Sequence, residues 1–193
     1  MSFAKAQRPI SRGRLLSVVA ALVVTGALGS AAAAQAGQPY YYIVNQNSGK
    51  VLTPFLESKD AGASIVQMTP LNHGAQHWFV DREADTPSGG TIREFRNRWS
   101  HYCIYVKFED NVVGRALHQD QCEKNYNANA RQWIVASKSD MWAGRPFLAV
   151  NRNSSQCMDV SGAGLGDYAP LIQWPCHGGT NQQFRLVYKG TSG

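Results

Sequence analysis

The chain has 193 residues, a formal net charge of +6 and a sequence pI near 9.3. That balance alone would suggest an anionic partner, but four of the basic residues, Lys5, Arg8, Arg12 and Arg14, precede an apolar run at 15–28, and the first acidic residue is Glu57. Without residues 1–36 the charge is +2, with 13 Asp and Glu scattered among the bases; this excludes a nucleic-acid footprint and leaves about 157 residues, one domain with no room for a separate catalytic domain.

In chain order, residues 1–36 read as a secretory signal peptide. The start is charged, the apolar run is too short to cross a bilayer comfortably, and the small residues after it offer cleavage after Ala34 or Ala36. The mature chain is therefore expected outside the cell, without a membrane span. Short β-rich runs follow at 40–44, 65–68, 77–80, 103–108, 133–135 and 184–187, separated by Gly, Asn, Ser and Pro clusters, and no stretch keeps a 3.6-residue apolar period. Residues 82–91, centred on Thr86-Pro87-Ser88-Gly89-Gly90, read as a surface loop. Residues 93–99 hold three arginines and two aromatics and read as the solvated face of a strand or loop. His73 and His77 are four apart but lie in an Asn- and Gly-containing loop, where helical metal-ligand spacing does not apply. No paired carboxylates, Ser-His-Asp grouping or phosphate-binding loop stands out, so no catalytic residue, metal or cofactor is assigned.

The chain repeats itself. Val44-Asn45-Gln46-Asn47-Ser48 recurs as Val150-Asn151-Arg152-Asn153-Ser154, and the same offset sets Gln76 opposite Gln182 and Trp78 opposite Phe184. A middle copy fits at half the distance, with Asn97 opposite Asn45, Ser100 opposite Ser48 and Trp133 closing the unit after an insertion near 125–129. The copies run over about 38–81, 92–136 and 145–188 of a domain at 38–193. Three units of roughly 50 residues with several short strands each suit a closed threefold β architecture. An irregular β-sandwich is the alternative.

The internal alignment pairs the cysteines. Cys103 with Cys122 and Cys157 with Cys176 have equal spacing at equivalent positions of the second and third copies, and the first copy has Val51 and Pro70 there. Losing both together is what a bridge predicts, and an exported chain keeps such bridges.

At these residues the chain resembles the ricin B-type lectins. The third copy carries Cys157-Met158-Asp159-Val160, Ile172-Gln173-Trp174-Pro175-Cys176 and Gly178-Gly179-Thr180-Asn181-Gln182-Gln183-Phe184 in the order and separation of that family's elements. The Gln-x-Trp signature stands as Gln76-His77-Trp78, Arg131-Gln132-Trp133 and Gln182-Gln183-Phe184. The resemblance implies an all-β fold, a β-trefoil of three pseudo-repeats, with Trp78, Trp133 and Phe184 in the core.

It also implies the sugar-site positions. A shallow sugar site needs a carboxylate for vicinal hydroxyls, an aromatic face for the C–H side of the ring, and an amide. In the third copy these are Asp159, Trp174 and Asn181, with Gln182 supporting the loop and Gln173 beside the aromatic. The polar residue many family members place two before the aromatic is Ile172 here, and strand alternation points Gln173 away from that direction. The second copy has Tyr105, Asp120, Ala130 and Arg131 at the equivalent places, and the first has Thr53, Met68, Ala75 and Gln76; both are expected to be scaffold. The expected function is a secreted, non-catalytic lectin that binds a galactose- or xylose-type sugar on glycans or polysaccharide through the third copy. The alternative is a trefoil with a secreted protein partner, such as a protease inhibitor or a toxin's delivery subunit.

Overall fold

A computed structural model describes residues 37–122 and 128–193. The expected signal segment, 1–36, and residues 125–127 of the insertion in the second copy lie outside the described residues. Twelve strands and one short α-helix stand among the described residues. The first repeat holds β1 (Pro39–Asn45), β2 (Val51–Pro54), β3 (Ile65–Met68) and β4 (Trp78–Asp85). The second holds β5 (Thr91–Asn97), β6 (Cys103–Val106), β7 (Leu117–Asp120) and β8 (Trp133–Val135). The third holds β9 (Ala149–Asn151), β10 (Cys157–Val160), β11 (Leu171–Trp174) and β12 (Phe184–Thr191). The helix, α1 (Lys138–Trp142), starts at Ser137, whose hydroxyl accepts from the Asp140 amide at its N-cap.

Six strands close a barrel. Antiparallel pairs run β12–β1–β4–β5–β8–β9, and two backbone hydrogen bonds between Phe147 and Phe184 join the ends. The remaining strands form three hairpins, β2–β3, β6–β7 and β10–β11, that cap one end. This is a β-trefoil, not a sandwich. The loop expected at 82–91 is shorter than its composition suggests, because β4 continues to Asp85 and β5 begins at Thr91; only 86–90 turn, where Thr86 and Gly90 bond each other and Gly89 takes a φ of 84°.

The threefold symmetry explains the repeated sequence. Each repeat sends Ile43, Phe95 or Ala149, then Leu52, Ile104 or Met158, then Ile65, Leu117 or Leu171, then Trp78, Trp133 or Phe184 into one core. Burying each of the larger side chains is worth roughly 1.5–3 kcal/mol. The repeated asparagine is a turn device. The Asn45 side chain accepts from the Asn47 and Ser48 amides and donates to the Asn181 carbonyl at 2.9 Å, and Asn97 and Asn151 do the same in the other repeats. Both disulfides pair as the alignment requires, with Cα–Cα distances of 5.1 Å for Cys103–Cys122 and 5.0 Å for Cys157–Cys176.

Candidate functional site

The β10–β11 hairpin positions the third-repeat residues. Its register sets Cys157 opposite Trp174 and Asp159 opposite Ile172, so strand alternation turns Ile172 and Trp174 to the outside while Leu171 and Gln173 face inward. Beyond β10 the chain turns through Gly162 and Ala163, whose φ values of 60° and 52° bend it away from the strand and leave only small side chains at the rim. The result is an open cleft of about 390 Å³, at the small end of ligand-site volumes, lined by Asp159, Ile172, Trp174, His177, Asn181 and the 161–163 turn.

At its floor Asp159 is 3% exposed, and its Oδ2 accepts from Asn181 Nδ2 at 3.0 Å and Gln182 Nε2 at 2.8 Å. His177 Nε2 lies 3.5 Å from the same oxygen. Oδ1 has no partner among the described residues. Burial raises the Asp159 pKa above the ordinary carboxylate value, against the lowering effect of the bonds from Gln182, Asn181 and His177. Trp174 forms the exposed wall, 41% accessible. Its indole rests against the second repeat at Gly114, where a Cβ would stand 3.5 Å from the ring. Gln182 also donates to the Pro175 carbonyl and accepts from the His177 and Gly178 amides, fixing the loop that carries His177. The first repeat grips the cleft from behind: Asn47 donates to the Ala163 carbonyl and accepts from the Thr180 hydroxyl, both at 3.0 Å.

Asp159, Trp174 and Asn181 thus share one cleft, and Gln182 supports it. Gln173 does not reach it. Its side chain is fully buried and donates to the Asp110 and Val112 carbonyls at 3.0 and 2.9 Å. Gln67 does this to Gly164 and Gly166, and Gln119 to Ser58 and Asp60, so the three glutamines tie each hairpin to a neighbouring repeat. The signal was the recurrence of Gln at one strand position in all three copies, which marks a device of the fold. His177 is the residue that sequence reasoning missed. Its Nδ1 accepts from the Gly179 amide at 3.1 Å, which leaves the proton on Nε2, the nitrogen facing Asp159.

The other two hairpins differ at every polar position of the cleft. In the first repeat Thr53 donates to the backbone of Ala75 and Pro54, and Met68 and Ala75 replace the tryptophan and asparagine. In the second, Tyr105 stands near His118 in an edge contact, and Arg131 pairs with Glu94 at 3.6 Å instead of holding a loop.

Residues 39–184 match the ricin-type β-trefoil lectin domain model. The chain belongs to the ricin-type β-trefoil lectin family. Membership makes it a carbohydrate-binding type of domain. No individual curated protein matches it. Among solved structures, the lectin domain is similar to the designed threefold-symmetric protein ThreeFoil at 27% identity, with 77% of this chain and 97% of that chain covered and a TM-score of 0.67. It is similar to an exo-β-1,3-galactanase from Clostridium thermocellum at 28% identity and a TM-score of 0.67, covering 78% of this chain and 30% of that longer one. The C-half of an earthworm R-type lectin, solved with GalNAc, shares the fold at 17% identity, with 78% and 99% covered and a TM-score of 0.55.

Proposed function

We propose that this protein is a secreted, non-catalytic lectin, exported by residues 1–36, that binds a galactose- or xylose-type sugar in the third-repeat cleft. The observation that carries this reading is the meeting of Asp159, with one oxygen unbonded, and the exposed face of Trp174 in one cleft. The sugar ring lays its C–H face on Trp174. Vicinal hydroxyls donate to Asp159 Oδ1, a charge-assisted bond of the strong kind, and accept from His177 Nε2. Asn181 has both its amide hydrogens engaged by Asp159 and the Val160 carbonyl, so it offers the ligand its oxygen.

Ile172, opposite Asp159, brings an apolar surface where a polar contact would add specificity. Gln173 and Gln182 act through the frame. One shallow site of this size binds about millimolar to sub-millimolar, and becomes useful on repeated ligands. The galactanase, whose chain is over three times the length matched, supports a role in holding a polysaccharide near other activities.

Titration of galactosides and xylo-oligosaccharides against wild type, Asp159→Ala and Trp174→Ala tests the reading. Each variant is expected to lose at least tenfold in affinity with its unfolding transition intact. Equal binding by all three sinks it, as does a secreted protein that co-purifies while no glycan binds.

A further inference from the structure

On the outer wall of the barrel one buried side chain has nothing to bond. His77 is 5% exposed, and neither ring nitrogen has a hydrogen-bond partner among the described residues. Buried polar groups are nearly always paired, so this orphan asks for a reason. The other repeats show what is missing. Gln132, at the same threefold position, accepts from Arg152 Nη1 at 2.6 Å, and Gln183 donates to the Gly178 carbonyl at 2.8 Å. Arg98 is the threefold counterpart of Arg152, because its amide bonds the His77 carbonyl at 2.8 Å just as the Arg152 amide bonds that of Gln132 at 2.8 Å. Its guanidinium nevertheless passes His77 by and lies 4.4 Å over the Tyr40 ring.

A second cation joins it. Tyr41 and Ile43 pack on the core, so strand alternation puts Tyr40 and Tyr42 on the outer wall. Between Tyr40 and Tyr41 the β1–β12 register slips by one residue, and the extra residue is Lys189. Such a bulge re-aims a side chain, and Lys189 Nζ stands 4.6 Å over the Tyr42 ring. His77 lies between the two tyrosines, at ring distances of 4.8 and 5.3 Å. Arg98 and Lys189 are half-buried, and neither side chain has an acceptor among the described residues. The carboxylates around them are committed, Asp81 to Arg96 and Glu57 to His73. Two cations therefore flank one imidazole without a counter-ion, and after burial they are the next causes of its lowered pKa.

We infer that Arg98 and Lys189, framed by Tyr40 and Tyr42 on the outer barrel wall, form a binding site for a sulfate or phosphate group. The Arg98 fork engages two oxygens and leaves another for Lys189, whereas a carboxylate has only two to give. His77 is a positioning residue: by offering no bond it releases Arg98, and its closed-off nitrogens sense the anion through charge alone. The site lies on the barrel strands, apart from the third-repeat cleft, and does not depend on what that cleft binds.

Titration with sodium sulfate, against sodium chloride at equal ionic strength, tests the site by NMR. In the wild type sulfate is expected to shift amides at 40–42, 77–79 and 188–190 saturably, with about millimolar affinity, and to move the His77 ring titration upward from about 4. Arg98→Gln and Lys189→Gln should each weaken binding about fivefold or more with the melting temperature kept, while Arg185→Gln, on the same strand as Lys189, should not. His77→Gln, which offers Arg98 the acceptor that Gln132 gives Arg152, should weaken it as well. Galactose 6-sulfate, titrated into Asp159→Ala and read at the same amides, separates the sources. Tighter binding than sulfate assigns the site to an ester on a glycan, and equal or weaker binding assigns it to the free anion. Chloride shifts equal to those of sulfate, which would mean an adventitious ion only, would overturn the inference. So would undiminished affinity in Arg98→Gln, Lys189→Gln or His77→Gln, or an equal loss in Arg185→Gln. None of these results would touch the proposed function, which the Asp159→Ala and Trp174→Ala titrations test.

Discussion

At the tip of the first hairpin stand Leu56 and Glu57, and the last position of β3 is Met68; the third hairpin has Gly162, Ala163 and Trp174 at those places. Backbone conformation is the same, since Leu56 and Glu57 take φ of 52° and 57° against 60° and 52° for Gly162 and Ala163. The clefts nevertheless differ from about 150 to about 390 Å³. The symmetric scaffold, held by the core aromatics, turn asparagines and tethering glutamines, leaves cleft size and chemistry to a few side chains at the hairpin. Trimming the rim side chains opens the cleft, and a larger aromatic on the strand supplies its wall.

Changes that make the third repeat resemble the first sharpen this contrast. The largest effect is expected from Cys157→Val with Cys176→Ala, which copies a repeat without a bridge. Closing the loop between them is worth about 3 kcal/mol, so the melting temperature should fall by about 10 °C at 2–4 °C per kcal/mol, as read by calorimetry.

Acid should act next, on binding. In the proposed site sugar affinity needs the Asp159 carboxylate, whose pKa burial raises above the ordinary carboxylate value. Protonation proceeds as pH falls, so affinity is expected to drop at a higher pH than an unperturbed aspartate would dictate, and Asp159→Asn should show a low affinity that is flat with pH. A wild-type affinity that holds to pH 3 would break this link.

Gly162→Leu puts the first-repeat side chain on the rim. Leu56 already tolerates that backbone, so a change in stability of under about 1 kcal/mol is expected, with affinity reduced about fivefold by titration. Unaltered affinity would show that rim size does not set access.

The smallest effect concerns His77, which stands where the other repeats have Gln132 and Gln183. It is packed between Tyr40 and Tyr42 at ring distances of 4.8 and 5.3 Å, and burial, then Arg98 and Lys189, lower its pKa from 6.5 to about 4. Between those values the unfolded chain binds a proton that the folded chain does not, so stability rises with pH across the window and is lost on acidification. His77→Gln should flatten the dependence of melting temperature on pH between about 4 and 6.5. A slope unchanged by the substitution would assign it to other groups.

The trefoil was legible because its devices recur: Asn45, Asn97 and Asn151, the closing aromatics, and the paired cysteines each mark one threefold position. The grouping of Asp159, Trp174 and Asn181 followed from the same alignment and the family resemblance. What escaped was contact across repeat boundaries. Gln173 looked like a site residue through its place beside Trp174, whereas its partners, Asp110 and Val112, lie in another repeat. His177 carries no recurring pattern, and a residue that differs in every copy gives self-comparison nothing to align. Gly, Pro and Ser at the tip of the β4–β5 hairpin outweigh the strand residues around them, so composition alone predicts a longer loop than the turn at 86–90.

The most direct test of the central claim is a crystal structure of the protein with galactose or xylobiose bound. A ring stacked on Trp174, with hydroxyls within hydrogen-bond distance of Asp159 Oδ1 and His177 Nε2, is the result predicted. A sugar bound elsewhere at saturating concentration, with the third-repeat cleft empty, would contradict it.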